Sequence, residues 1–84
     1  MEDRALIDRA IDGDKKSLEQ LLERYQHWIF NVALSFVAHR EDAADITQEV
    51  LIKIMTKLST FRHESEFKTK GYRIVKNHCL NMER

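Results

Sequence analysis

Proline is absent from this 84-residue chain, and glycine occurs only at positions 13 and 71. Those two residues punctuate chains with turns, so their scarcity argues against a turn-dense β architecture and leaves long, uninterrupted helices. The one cysteine, Cys79, excludes an intrachain disulfide and fits a reducing compartment. No apolar run approaches membrane-spanning length, and the opening MEDRALIDRAIDG is acidic, unlike a signal peptide. A cytoplasmic setting is therefore expected. Net charge is lacking too, with 14 Lys/Arg against 14 Asp/Glu.

One domain fits in this length, near the low end of what folds alone, able to bury about 60–65% of its unfolded surface. With a third of its residues charged and helix breakers so rare, the expected class is all-α: a small bundle of three to four helices over 1–84. The zero net charge hides an asymmetry. Residues 1–59 hold eight cations against eleven acids, whereas residues 60–84 hold six cations against three acids. An acidic body with one basic end suggests two different surfaces.

Four helices are expected. The first covers 3–12, with Gly13 as its stop. Asp14 caps the second, which runs to about Ala38 and carries Leu18, Leu21, Leu22, Tyr25, Trp28, Ile29, Val32 and Phe36 at i, i+3, i+4 spacing. That makes it the central core helix. His39 and Arg40 fall in a connection, and Glu41 and Asp42 suit the positive end of a third helix that ends near Ser59. The polar stretch from Thr60 to Ser65 reads as a loop, with Ser65 as N-cap of the fourth helix. From Glu66 onward, Phe67, Ile74, Val75, His78 and Met82 form one side of that helix. Lys70, Arg73, Asn77, Asn81 and Arg84 form another. The helical pattern is still running where the sequence stops, as expected of a fragment or a first domain.

The third helix carries two stripes. Ala43, Ile46, Val50, Ile54 and Leu58 recur at helical spacing and face a core. Offset from them lie Asp45, Gln48, Glu49, Ile52, Lys53 and Thr56, a mixed face with a large aliphatic that solubility does not require. It reads either as a partner-docking face or as an ordinary solvated face with one isolated exposed Ile, and the residues alone leave both open. The basic fourth helix is similarly double. Its Lys and Arg can neutralise phosphates, its Asn can pair with base edges, and Phe61, His63 or Tyr72 could stack on an unpaired base. The plainer reading is a solvated cationic face.

Chemistry beyond binding has little support. His27, His39, His63 and His78 are scattered over separate elements, and His78 and Cys79 are adjacent and so point apart on a helix. No metal site or cofactor is expected, and His78 reads as a core or boundary residue. No Gly-rich phosphate loop, activated nucleophile or paired carboxylate is present, so an enzyme is not expected.

A family resemblance rests on three phrases in order: D-I-T-Q-E-V at 45–50, L-S-T-F-R at 58–62 and Y-R-I-V-K-N at 72–77. With ERYQHWIFNVALSFV before them, the chain resembles region 2 of bacterial sigma factors, especially the extracytoplasmic-function (ECF) group, over nearly its whole length. The resemblance implies that the third helix docks on the clamp-helix coiled coil of the RNA polymerase β′ subunit through Asp45, Gln48, Glu49, Ile52, Lys53 and Thr56. It also implies that the following loop and helix hold the non-template strand of the minus-ten promoter element, with a base flipped into a protein pocket. The matching residues are Phe61, Arg62, His63, Ser65, Lys68, Tyr72, Arg73, Lys76, Asn77 and Asn81. Capture of an unstacked base offsets a few kcal/mol of opening cost. An anti-sigma partner is typical of the family, and nothing in the sequence identifies one. The alternative from another class is a sigma-like interaction module that does not open promoters. A self-contained repressor that binds intact duplex is a weaker third reading.

Two departures stand out. The family usually has Trp-Leu where this chain has Lys70 and Gly71. A mid-helix Gly costs about 1 kcal/mol relative to Ala, so the fourth helix is expected to be weakened there. Restoring the pair, Lys70→Trp with Gly71→Leu, is expected to raise thermal stability. The second is an expectation from length: region 4, which in this family binds the minus-thirty-five element, is not expected within these 84 residues.

Overall fold

Gly13 adopts φ +102°, a conformation L side chains avoid, and it turns the chain between the first two helices. In a computed structural model describing residues 3–61 and 64–82, the elements are α1 (Asp3–Ile11), α2 (Lys15–Phe36), α3 (Arg40–Thr56), a 3-10 turn (Leu58–Phe61) and α4 (Glu64–Met82). No strand occurs among the described residues, so the chain is an all-α bundle. The end of α1 is closed by Gly13 N–H on the Ala10 carbonyl and Asp14 N–H on the Arg9 carbonyl, which together form a Schellman motif. Asp14 then caps α2. Its carboxylate accepts from the Lys16 backbone N–H at 3.2 Å and from the Ser17 hydroxyl at 2.7 Å.

As its periodicity requires, α2 is central and packs against all three other helices. Leu21, Tyr25, Ile29 and Ala33 are buried along its length, with Leu18, Leu22, Trp28, Val32 and Phe36 at the core margin. The apolar stripe of α3 is buried from Ala43 to Ile54 and continues into Leu58 of the turn. Thr47 is buried within that helix, where its hydroxyl donates to the Ala43 carbonyl at 2.7 Å.

The boundaries differ from the sequence expectations at several points: α1 ends at Ile11 rather than 12, Arg40 belongs to α3 rather than to the connection, and three further ends move. Helix α2 stops at Phe36, because Val37 turns extended and donates its N–H back to Ala33. Helix α3 stops at Thr56. There the Lys57 N–H is shared between the Lys53 and Ile54 carbonyls, and the chain tightens into the 3-10 turn, with Thr60 bonded back to Lys57. Helix α4 begins at Glu64, so Ser65 lies inside the first turn rather than at the cap.

Phe67, Gly71, Val75 and Cys79 form the buried seam of α4, four residues apart. Phe67 stacks against Tyr25 of α2 at 4.5 Å between centroids and against Phe61 of the turn at 5.0 Å. At Gly71 α4 passes close to α2: a β-carbon built there would stand 3.3 Å from Cζ3 of Trp28. The glycine is therefore a point of close approach rather than a weak spot, and Trp28 fills the space that a leucine at 71 would need. Lys70 has its own work. Its ammonium donates to the Thr60 carbonyl and lies 5.8 Å from the Phe61 ring centroid, tying α4 to the turn. These two contacts set the opposite expectation for Lys70→Trp with Gly71→Leu, a loss of stability.

Candidate functional site

All six residues of the mixed α3 stripe, Asp45, Gln48, Glu49, Ile52, Lys53 and Thr56, are exposed on one side of the helix. Ile52 is 59% exposed, but it is not isolated. Met55, 44% exposed, stands one turn on, and both line a groove with Leu51 of α3 and Leu22 and Phe30 of α2. The exposed apolar surface therefore extends from α3 onto α2. Sequence reasoning missed Met55, although its i, i+3 spacing from Ile52 was visible. The acids and amide of the stripe flank this apolar strip, an arrangement suited to a partner with both apolar and polar groups.

Glu49 and Lys53 are joined to α4 through His78. Lys53 Nζ lies 3.1 Å from His78 Nδ1, and His78 Nε2 lies 2.7 Å from Glu49 Oε2. The second approach is in ion-pair range without the alignment of a hydrogen bond. His78 is the boundary residue expected of it, its side chain only 13% exposed.

The other face belongs to α4. Lys68, Tyr72 and Lys76 follow one another at four-residue spacing, and Arg73, Asn77 and Asn81 form the neighbouring row, all exposed. Tyr72, 42% exposed as a residue, leans on Phe36 of α2 at 5.9 Å between ring centroids. Lys68 lies 5.9 Å from the Trp28 ring centroid. Leu80, 52% exposed, also belongs to this face, and its place beside Lys76 and Asn77 was overlooked in the sequence. Between the 3-10 turn and α4 is a small recess lined by Lys57, Thr60, Phe61, Lys70, Arg73 and Ile74.

Phe61 requires correction as a stacking residue. It is 1% exposed and packed against Phe67, so its ring serves the core and is closed to a base. Arg62 and His63 lie outside the described residues, as does the side chain of Ser65. Apart from Phe61, the described part of the expected nucleic-acid set gathers on α4, and the α3 set gathers on a different face. No group of three or more His, Cys, Asp or Glu able to hold a metal occurs among the described residues. No described helix is long and apolar enough to cross a membrane.

The family model for sigma-70 region 2 matches residues 21–84. Among curated proteins, the RNA polymerase sigma-H factor of Pseudomonas aeruginosa is 38% identical over 80 residues, which are 95% of this chain and 42% of that protein. The ECF RNA polymerase sigma-E factor of Haemophilus influenzae is 39% identical over 79 residues, 94% of this chain and 41% of its own. The ECF RNA polymerase sigma-E factor of Escherichia coli K12 is 37% identical over the same length and coverage. No solved structure matches. The chain spans about two-fifths of the length of these relatives.

A small all-α bundle with these matches is a sigma-factor domain, and the chain belongs to the sigma-70 region 2 family. Within that family it is of the ECF type.

Proposed function

We propose that this domain joins RNA polymerase core to promoter DNA during transcription initiation. The α3 face docks on the clamp helices of the β′ subunit, and α4 with the loop before it holds the non-template strand of the minus-ten element as the duplex opens. The observation that carries this reading is the separation of two exposed faces on adjacent helices. One is mixed and apolar-centred on Ile52 and Met55, and the other is cationic and amide-rich from Lys68 to Asn81. Apolar contact by Ile52 with register set by Gln48 and Glu49 suits a coiled coil, and phosphate pairing by Lys68, Arg73 and Lys76 suits a single strand. An anti-sigma protein that covers either face would silence the domain.

The test has two arms. Binding to core polymerase is compared for the chain and for Gln48→Ala/Glu49→Lys, and abolition in the variant is expected. Binding to a minus-ten single strand is followed against salt, where Arg73→Ala and Lys76→Ala each reduce the log–log slope by roughly 0.7. If DNA binding ignores those substitutions while polymerase binding is lost with Glu49→Lys, the domain is an interaction module without promoter-opening activity.

A further inference from the structure

We infer that His78 is a positioning residue for the α3 docking face, holding Glu49 and Lys53 from the neighbouring helix. The inference rests on the polymerase-docking reading of that face. Three observations carry it. Lys53 and Glu49 are one turn apart on α3, and both meet the same imidazole on α4, one at each ring nitrogen. An ammonium can only donate, so the 3.1 Å contact from Lys53 requires a bare Nδ1 and puts the ring proton on Nε2, facing the Glu49 carboxylate. Nε2 is closed to water and has no aligned hydrogen-bond partner, while Glu49 remains 60% exposed. An unpaired donor 2.7 Å from an exposed carboxylate favours Glu49 rotamers that turn toward α4, while Nδ1 receives the Lys53 ammonium.

Two long, charged side chains on an exposed helix would otherwise sample many rotamers, and fixing them would be left to the docking step. The histidine does part of that ordering in the free domain. It touches no partner in this role and acts only through Glu49 and Lys53. It also leaves α3 and α4 joined at the surface by polar contacts, beyond the buried seam of Val75 and Cys79.

The chemistry names its own rescue. A glutamine at 78 offers an amide oxygen to Lys53 and an amide N–H to Glu49, whereas a leucine fills similar space and offers neither. His78→Leu is expected to keep the melting temperature of the parent and to weaken binding to core RNA polymerase about five- to tenfold, the scale of a charge-assisted hydrogen bond. His78→Gln is expected to bind within about twofold of the parent on that scale. In a Glu49→Ala/Lys53→Ala background, His78→Leu should add no further loss, which a merely structural residue would still produce. Nitrogen NMR of the free domain should show Nε2 protonated and Nδ1 bare. If the parent binds core polymerase, Glu49→Lys abolishes it and His78→Leu binds like the parent, the docking reading stands and the positioning role is overturned. If the folded parent fails to bind core polymerase at all, both fall together.

Discussion

The backbone of Gly71 lies against the indole of Trp28, 43 positions away in the chain, at a distance where a β-carbon would stand 3.3 Å from Cζ3. A leucine there must displace a ring already held edge-on by Tyr25 at 6.3 Å. Gly71→Leu is expected to destabilise the domain by about 1–3 kcal/mol, the usual cost of overpacking. Trp28→Ala opens the space the leucine needs, so the double variant should recover part of the loss. Chemical denaturation of the four-member cycle checks this. Strictly additive effects would show that the two sites are not in contact.

Gly13 gives a simpler case, because nothing lies within 4 Å of a β-carbon at that position. Any penalty from Gly13→Ala is therefore conformational and should be about 1–2 kcal/mol. Gly13→Asn should lose less, since asparagine tolerates positive φ better. Equal stability of all three in a denaturant titration would mean that the α1 terminus relaxes out of its Schellman geometry.

Asp14 links stability to acidity. The Ser17 hydroxyl, followed by the Lys16 and Ser17 backbone N–H groups, holds the Asp14 carboxyl below its ordinary value. A carboxyl lowered in the folded state stabilises fully above its unfolded pKa, and the contribution fades as pH falls through the folded pKa. The melting-temperature gap between the parent and Asp14→Ala should be widest at neutral pH and narrow as pH drops through and below the ordinary carboxylate range. A gap that stays constant in size through and below that range would remove the charge from the capping argument.

The large apolar residues of α2 and α3 could be read from spacing alone. Leu21, Tyr25, Ile29, Val50 and Ile54 are buried where the periodicity puts them. Helix α4 was harder, because its buried seam alternates large residues with Gly71 and Cys79, and a glycine carries no apolar signal. Phe61 was misplaced for a related reason. An aromatic in a polar stretch between cations looks like a stacking residue until the 3-10 turn swings it onto Phe67. The exposed stripe of α3 was visible as a stripe. Its continuation to Met55 and onto α2, and the ties of Glu49 and Lys53 to His78, depend on how separate helices pack. Such pairings across distant positions leave no periodic trace.

Trp28 is the chain's single tryptophan, and it stands where α2 meets α4 under the Lys68 ammonium. The domain therefore carries a built-in optical reporter on the helix that presents Lys68 and Tyr72. Its emission reports the surroundings of one interhelical contact without any label, so displacement of α4 by a bound strand could be watched in real time at an unmodified surface.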